Sequence, residues 1–459
     1  MSHLLISAAH KSSGKTTLSI GICAELKHRG IPVQPFKKGP DYIDPLWLSQ
    51  AAGRSCHNLD FYTQSRDEIR HNFASRMEGA EIALIEGNKG LYDGLDLEGG
   101  NSNAALAELL GAPVVLVIDT QGMTRGVAPL LLGYQAFDPN IRIAGVILNK
   151  VGGPRHERKL RQVVERYTDL KIVGAVQRAP SLEIVERHLG LMPSNESAVS
   201  ARQIENIRST IADQLDFDLL RSIASSAQPV IDPGPAVAPR STAPTSGLRI
   251  GVAMDEAFGF YYPGDLESLE REGAKLVPFS PIRDGRLPDV EGIFIGGGFP
   301  EVRMQELEAN ASMRRALRAY VEAGRPLYAE CGGLMYLSRS LTWGEKSCKM
   351  VGVVPADAVM HERPQGRGYV RLRETGNFPW GGADVREIEI AAHEFHYSRL
   401  ENLSPDPIYA FEVLRGTGID GTHDGILYKN MLANYTHLRD VQGYRWTRKF
   451  LAHVRRVIR

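Results

Sequence analysis

The sequence contains few cysteines, and those it has are widely separated. Cys23, Cys56, Cys331 and Cys348 are the only four among 459 residues, and no two of them form a C-x-x-C pair. This spacing argues against a disulfide framework and against a cysteine-based zinc site. It predicts a protein of a reducing compartment.

Two further absences bear on location and partners. No apolar run approaches the roughly 20 residues that cross a bilayer, and the first residues, MSHLLISA, lack the charged segment of a signal peptide. Lys plus Arg and Asp plus Glu both number 54, so no net charge attracts the whole protein to nucleic acid or to an anionic membrane. We therefore predict a cytoplasmic protein whose partners are neither nucleic acid nor membrane.

The chain is predicted to contain two domains. Residues 228–247 are rich in Pro, Ala, Ser and Gly and carry no periodic apolar pattern, which is typical of a linker. A chain of this length also exceeds what one ordinary core accommodates. The predicted domains are therefore 1–227 and 248–459.

Short apolar runs alternate with amphipathic segments in the N-terminal half, which predicts a doubly wound α/β domain with a parallel sheet. A helix is predicted over Lys15–Arg29, with Gly30 as its stop signal. The predicted strands are Leu4–Ala8, Val33–Phe36, Ile82–Glu86, Val114–Asp119, Ile143–Asn149 and Ile172–Val176.

The same alternation starts again after the linker and predicts a second α/β domain. Beyond about residue 345 the patterns are weaker and favour β-structure. The predicted strands are Leu248–Met254, Leu276–Phe279 and Gly292–Ile295, and the predicted helices are Asp265–Glu272 and Met313–Ala323.

The segment AHKSSGKTT follows the first predicted strand and opens the first predicted helix, which is the context of a phosphate-binding loop. In such a loop, backbone N–H groups and the helix N-terminus surround phosphate, Lys15 reaches the outer phosphates and the Thr16 hydroxyl binds Mg²⁺. Ala9 replaces the usual first glycine. We predict nucleotide binding by Gly14, Lys15, Thr16 and Thr17.

Carboxylates follow several predicted strands. Glu86 ends the run IALIE, Asp41 and Asp44 follow the second strand, and Asp93 lies in GLYDG. The carboxyl ends of parallel strands meet at one crevice, and Mg²⁺ commonly takes carboxylates together with nucleotide phosphates. We predict Thr16, Asp41 and Glu86 as metal ligands, although each acid alone is also compatible with a turn or a helix cap.

Cys331 stands where the apolar run PLYAE stops and two glycines begin a helix-like pattern. This pattern is typical of a strand–turn–helix elbow that presents a nucleophile to a cleft. A helix N-terminus after the turn favours the thiolate. The alternative is a buried packing cysteine, but the flanking glycines favour the nucleophile.

Nine motifs, spread over nearly the whole chain, are together unusual. They are SSGKTT (12–17), QPFKKGPDYID (34–44), NLD (58–60), IEGNKGLYDG (85–94), ERHLGL (186–191), IGGGFPE (295–301), YAECGGLMYL (328–337), HEFHYS (393–398) and NYTHL (434–438). With them the sequence resembles the cobyrinic acid a,c-diamide synthases, a family of glutamine-dependent amidotransferases.

The resemblance implies that the C-terminal half is a class I glutamine amidotransferase domain of the Cys–His type. Cys331 would attack the carboxamide of glutamine and form a glutamyl thioester, and His437 would take and return the proton. An oxyanion hole would be formed by the backbone N–H groups of Gly297, Gly298 and Gly332.

The resemblance also ranks the histidines and the acids around them. Arg439 stands two residues after His437, where the wider class has an acid, which implies a branch without the carboxylate member of the triad. The rival bases His361 and His423 rank below His437 on the resemblance alone. His393 and His396 form an H-x-x-H pair. We interpret them as substrate-side or packing residues, because no matching set of acids or cysteines predicts a metal site.

For the N-terminal half the resemblance implies an ATP-dependent amidoligase, similar to dethiobiotin synthetase. ATP would convert a substrate carboxylate to an acyl phosphate, and ammonia from the other domain would displace phosphate. Tyr42 and Ile43 would contact the substrate, and Asp93 would join the loop residues and acids above. The implied cofactors are ATP and Mg²⁺, and the other partners are L-glutamine and a carboxylated tetrapyrrole.

The sequence leaves the tetrapyrrole open. Cobyrinate, amidated on its a and c acetates, is the leading substrate. Asn88-Lys89, Lys37-Lys38 and the histidine-free segment PLWL (45–48) depart from the common pattern and favour a sirohaem or sirohydrochlorin amidase of dissimilatory sulfur metabolism, or an enzyme acting on nickel-sirohydrochlorin. A regulatory P-loop ATPase of the partitioning kind would explain SSGKTT but not the second domain. The oligomeric state, a homodimer included, is also open.

Overall fold

The computed structural model describes residues 1–184, 186–187, 190–195, 200–234, 247–381 and 388–459. It divides into two compact units, Met1–Val237 and Ala238–Arg459. Most of the predicted linker 228–247 lies outside the described residues, and of the motif ERHLGL only the backbone of 186–187 and 190–191 is described. No helix in the described ranges is long and apolar enough to cross a membrane.

The first unit alternates strands and helices along the chain. Its strands are β1 (Ser2–Ala8), β2 (Val33–Lys38), β3 (His57–Leu59), β4 (Ile82–Glu86), β5 (Val114–Asp119), β6 (Ile143–Val151), β7 (Lys171–Gln177), β8 (Glu186–Arg187) and β9 (Gly190–Leu191). Its helices are α1 (Lys15–His28), α2 (Ile43–Ala52), α3 (Arg66–Arg76), α4 (Asn103–Leu110), α5 (Val127–Phe137), α6 (Pro154–Tyr167), α7 (Ser200–Ala212) and α8 (Phe217–Ser225).

Seven strands of this unit form one parallel sheet in the order β3-β2-β4-β1-β5-β6-β7. The residues of β4 are buried throughout and those of β5 nearly so, because helices cover both faces of the sheet, and this explains their continuous apolar sequences. The predicted doubly wound α/β fold is confirmed. The order changes direction around β1, where the loop to α1 lies at the carboxyl edge of the sheet.

Two predicted boundaries in this unit shift in an informative way. Strand β2 continues past the predicted Phe36 to Lys38, because Lys37 and Lys38 are buried at the sheet edge rather than exposed in a turn. Helix α1 ends at His28, and the N–H of Arg29 caps it by donating to Glu25 O. The second shift is within the usual uncertainty of helix ends.

The second unit is also α/β but contains more strand. Its strands are β10 (Leu248–Ala253), β11 (Ala274–Phe279), β12 (Gly292–Ile295), β13 (Leu327–Glu330), β14 (Ser340–Trp343), β15 (Lys346–Lys349), β16 (Asp357–Met360), β17 (Gly366–Glu374), β18 (Glu389–His396), β19 (Ser398–Glu401), β20 (Ile408–Arg415), β21 (His423–Tyr428) and β22 (Met431–Asn434). Its helices are α9 (Pro263–Arg271), α10 (Met304–Ala309), α11 (Ala311–Glu322), α12 (Gly332–Leu337) and α13 (Trp446–Val457).

The main sheet of this unit has nine strands in the order β11-β10-β12-β13-β22-β21-β20-β17-β18. The strands from β11 to β22 in this order pair in parallel, and those beyond β22 pair antiparallel. A smaller sheet has the order β15-β14-β16-β19. The predicted change to β-structure beyond residue 345 is therefore confirmed, and β13 and β22 lie side by side at the centre.

Candidate functional site

The loop between β1 and α1 has the backbone of a phosphate-binding loop. Gly14, the residue before α1, has a φ of +90°, which glycine adopts without steric cost. Lys15 opens the helix, is buried, and donates from Nζ to the carbonyl of Lys89 at 2.6 Å. Burial and the neighbouring Lys37 ammonium lower the pKa of Lys15 to about 8. A bound phosphate would stabilise the protonated form of Lys15 and so raise this pKa again.

Two carboxylates meet the Thr16 hydroxyl beside this loop. Thr16 donates to Glu86 Oε1 at 2.7 Å and to Asp44 Oδ2 at 3.2 Å. Lys37 Nζ contacts the same two atoms, at 2.8 and 2.5 Å respectively. Burial opposes the charge of Lys37, but the two carboxylates outweigh it and raise its pKa. Glu86 is fully buried, and burial raises its pKa.

The predicted ligand Asp41 lies differently from Asp44. Its Oδ1 accepts the backbone N–H groups of Ile43 and Asp44, at 2.8 and 3.1 Å, and so caps the start of α2. Burial and the charge of Asp44 raise the pKa of Asp41 to about 7. Asp44 rather than Asp41 therefore lies next to Thr16, and the role of Asp41 as a metal ligand stays a prediction.

The turn that carries this carbonyl is held by a side chain that sequence reasoning missed. Asn103 is fully buried at the start of α4, accepts from Asn88 N at 3.1 Å, and donates to Gly90 O at 2.9 Å. Lys89, between them, has a φ of +42°, which is uncommon for a residue with a side chain. The predicted Asp93 accepts from Gly90 N at 2.9 Å and so braces the same turn.

A cavity of about 260 Å³ lies beside the loop. Among its lining residues, Asn149 donates to Ser13 O at 2.8 Å, and Lys150 donates to Asp119 at 2.7 Å. The predicted binding residues Gly14 and Thr17 also line it. The carboxyl ends of β5, β6 and β7 and the segments after them supply the other polar lining residues, which local motifs did not indicate: Gln121, Asn149, Lys150, Gln177, Arg178 and Glu183.

The predicted substrate residues of this unit have little exposed surface. Tyr42 and Ile43 stand at the start of α2 and are each 8% exposed. Nearby, the buried Lys38 contacts Asn88 Oδ1 at 3.2 Å, and Trp47 donates to Met192 O at 2.8 Å. Their contact with a substrate stays a prediction.

In the second unit, the predicted elbow is formed at the end of β13. Cys331 has φ +47° and ψ −100° and is followed directly by α12, a strained backbone for a residue with a side chain. Its N–H donates to Asn434 O at 2.8 Å, which ties the turn to β22. A Cβ on Gly332 would lie 3.0 Å from Gly298 N, so glycine permits the two backbones to approach closely.

The surroundings of Cys331 do not favour the thiolate that the sequence predicted. Helix α12 has only six residues, and Cys331 is buried with its Sγ 3.9 Å from the carbonyl of Phe395. Burial and the nearby Glu301 carboxylate raise the pKa of Cys331. Desolvation therefore outweighs the short helix and disfavours the thiolate.

Two of the predicted oxyanion residues, Gly297 and Gly298, follow β12. Gly298 has a φ of +157°, and a Cβ on Gly297 would lie 2.6 Å from His437 Cε1. Asp255 accepts from the N–H groups of Ala257 and Phe258 at 2.9 and 3.2 Å, which holds the neighbouring turn. The glycines thus lie beside the histidine, and their part in an oxyanion hole stays a prediction.

His437 lies three residues beyond β22 and is buried. Its backbone N–H donates to the carbonyl of His393 at 2.8 Å, and its ring Nδ1 lies 3.3 Å from Glu330 Oε2. Burial lowers the pKa of His437 to about 3. The imidazole is therefore uncharged at neutral pH, and burial makes it a weaker base than a free imidazole.

The expectation of a site without an acid is wrong in one respect. Arg439 does occupy the second position after His437, where the wider class has an acid, and its guanidinium lies 5.0 Å from the centre of the Tyr262 ring. However, Glu330, the residue before the nucleophile, contacts His437 from β13. The sequence feature that could have indicated Glu330 is an acid at the end of an apolar strand, the same pattern that predicts Glu86 as a metal ligand.

The other histidines have separate partners. His423 contacts Asp420 at 3.1 Å and His361 lies 3.9 Å from Glu401. His393 stacks on His437 with ring centroids 5.2 Å apart, and His396 stacks on Tyr435 at 3.8 Å. The described residues contain no group of three or more His, Cys, Asp or Glu that could hold a metal, and the role of the H-x-x-H pair stays a prediction.

Known proteins resemble both units. Residues 5–191 match the family described as the CobQ/CobB/MinD/ParA nucleotide binding domain, and residues 249–440 match the CobB/CobQ-like glutamine amidotransferase domain. A cobyrinate a,c-diamide synthase of Magnetococcus marinus is 46% identical over 452 residues, which cover 98% of this chain and 96% of the relative. Synthases of the same name are 41% identical in Methanosarcina acetivorans (95% of this chain, 92% of the relative) and in Dehalococcoides mccartyi (95% and 94%).

Proposed function

The chain belongs to the cobyrinate a,c-diamide synthase family, and we propose that it amidates the a and c acetate carboxylates of cobyrinate with ATP and glutamine. It is a carbon–nitrogen ligase that uses glutamine as the amide donor. One observation carries the proposal: a phosphate loop with buried carboxylates and a cysteine elbow with a neutral histidine occur in one chain.

We assign activation of the carboxylate to residues 1–227. Lys15 and the N-terminus of α1 would bind the phosphates of ATP, and the cavity beside Gly14 and Asn149 would hold the nucleoside. A substrate carboxylate attacks the terminal phosphorus, so that an acyl phosphate forms and ADP leaves. This step makes a poor electrophile reactive.

The residues beside the loop fit Mg²⁺. Thr16, Asp44 and Glu86 present oxygen atoms, which this ion prefers. Glu86 Oε2 is buried and accepts no hydrogen bond from the described residues. When bound, Mg²⁺ would neutralise charge on the phosphates. Lys37, which contacts both carboxylates, would then share them with the ion.

We assign release of ammonia to residues 248–459, joined to the first domain by 228–247. His437 takes the proton of the Cys331 thiol, and the thiolate attacks the carboxamide carbon of glutamine. The imidazolium returns the proton to the departing nitrogen, which leaves as ammonia. Water then hydrolyses the thioester to glutamate, and ammonia displaces phosphate from the acyl phosphate to give the amide.

The relatives favour cobyrinate over the alternatives. Those compared above are named for cobyrinate, not for sirohaem or sirohydrochlorin. A match over 249–440 to a glutamine amidotransferase domain also argues against a purely regulatory ATPase.

Mass spectrometry of the products tests the proposal. The protein is incubated with ATP, Mg²⁺ and glutamine and is offered cobyrinate or sirohaem separately. We expect two successive acid-to-amide conversions of cobyrinate, each dependent on ATP. Conversion of sirohaem without conversion of cobyrinate would contradict the substrate assignment.

A further inference from the structure

We propose that Glu330 is the positioning residue for His437, in place of the acid that is missing after the histidine. This inference rests on the proposed glutaminase activity. It gives the residue before the nucleophile a function that the motif around Cys331 did not assign.

Three contacts fix the carboxylate of Glu330. Its Oε1 accepts the Tyr328 hydroxyl at 2.5 Å and the backbone N–H of Leu438 at 2.9 Å. Its Oε2 lies 3.3 Å from His437 Nδ1. Because Oε1 already accepts two donors, Oε2 is the atom left for the imidazole.

The fold brings the acid, the nucleophile and the base together. Glu330 pairs with Asn434 across β13 and β22, and the next residue, Cys331, donates its N–H to the same Asn434. His437 follows three residues later, and Glu330 also holds Leu438. A single pair of parallel strands therefore carries all three groups at its carboxyl end.

This arrangement selects the useful tautomer of the imidazole. If Nδ1–H donates to Glu330, the lone pair is on Nε2, where it can accept the proton of a thiol. The carboxylate then also stabilises the imidazolium that forms. An amide at position 330 can donate its NH₂ to Nδ1 instead, which places the ring proton on Nε2 and blocks that transfer.

The test compares Glu330→Gln with Asp424→Asn in the full-length protein. Asp424 is also fully buried, and it accepts from Tyr435 N and Thr436 N beside the histidine. It makes no hydrogen bond to the imidazole among those found in the described residues. Asp424 lies in β21, and it is therefore a matched control for the loss of a buried acid beside the segment that follows β22.

For Glu330→Gln we expect the kcat for glutamine hydrolysis to fall by about 10²–10⁴-fold, as in other triads that lose their carboxylate. The KM for glutamine and the amidation rate with added ammonia should change by less than about threefold, since neither depends on the tautomer. Asp424→Asn should lower thermal stability, but it should lower this kcat much less than Glu330→Gln does. Glu330→Asp should recover part of the loss.

Two results would overturn the inference: a Glu330→Gln enzyme that hydrolyses glutamine at a rate near that of the wild type, or equal losses of kcat in Glu330→Gln and Asp424→Asn. If Glu330→Gln does not fold, the Tyr328→Phe variant tests the inference, because it removes one of the two donors that hold Oε1. It should lower the kcat for glutamine hydrolysis by about tenfold and leave the ammonia-dependent amidation unchanged. An unchanged kcat for glutamine hydrolysis would contradict the inference. Failure of the proposed function itself would appear separately, as a wild type that releases no Cys331-dependent glutamate.

Discussion

Glu86 and Glu330 end buried parallel strands in the two units, yet their surroundings differ. Glu86 shares its carboxylate with the Lys37 ammonium and the Thr16 hydroxyl. Glu330 faces an imidazole, a phenol and one backbone N–H, and none of the ion pairs in the described residues joins it to a lysine or arginine. Burial raises the pKa of Glu86 and the Lys37 ammonium opposes that rise, an arrangement suited to a metal ion, whereas the neutral partners of Glu330 suit it to orienting the imidazole.

The largest expected effect separates the two regions completely. Cys331→Ala should lower glutamine-dependent amidation by more than about 10⁴-fold, because no thioester can form. Amidation with added ammonia should remain close to that of the wild type, because Cys331 supplies only the nitrogen. Both rates are measured by product formation, with Cys348→Ala as the control. Loss of the ammonia-dependent reaction would contradict separate sites.

Lys15→Ala should act in the opposite way. We expect ATP-dependent amidation to fall by about 10³-fold with either nitrogen source, since the phosphates lose a charged partner. Some glutamine hydrolysis should persist. Lys11→Ala, in the same loop but exposed, is the control. Equal losses of amidation and of glutaminase turnover would argue that the two reactions cannot be separated.

A smaller effect should distinguish the two aspartates near Glu86. Asp44→Asn should raise the Mg²⁺ concentration for half-maximal amidation by about 10–100-fold, the usual effect of weakening a metal site. Asp41→Ala should shift it less and lower the free energy of unfolding by about 1 kcal/mol through the lost helix cap. Titration with Mg²⁺ and thermal denaturation measure both. A larger shift in the Mg²⁺ requirement for the Asp41 variant than for the Asp44 variant would support Asp41 as the metal ligand, as the sequence predicted.

The smallest effect concerns pH. Burial raises the pKa of Glu330 to about 8, although Tyr328 and Leu438 N–H oppose it, so the carboxylate gains its charge as pH rises through about 8. His437 stays neutral throughout because its pKa is lowered to about 3. The kcat for glutamine hydrolysis should therefore increase severalfold between pH 7 and pH 9. The groups facing Glu330 are Tyr328, His437, Cys331 and Tyr261. A flat profile would show that this ionisation does not limit the reaction.

Local signals predicted much of this molecule. The strands of the first unit, the phosphate loop and the cysteine elbow depend on apolar runs and glycines that are neighbours in sequence. The contact of Glu330 with His437 spans 107 residues, and no local pattern reports it. The same holds for the thiol, whose burial comes from packing near Phe395 in another strand, and for Asp44, which the turn at Asp41 directs toward Thr16.

A paired measurement on Glu86→Gln and Glu330→Gln tests the central claim most directly. Amidation of cobyrinate and release of glutamate are followed side by side, with glutamine or with ammonia as the nitrogen source. Glu86→Gln should lose amidation with both sources and keep some glutamate release. Glu330→Gln should lose glutamate release and glutamine-dependent amidation, but keep amidation with ammonia. The same pattern of loss in both variants would contradict the assignment of one carboxylate to phosphoryl transfer and the other to positioning the base of the glutaminase.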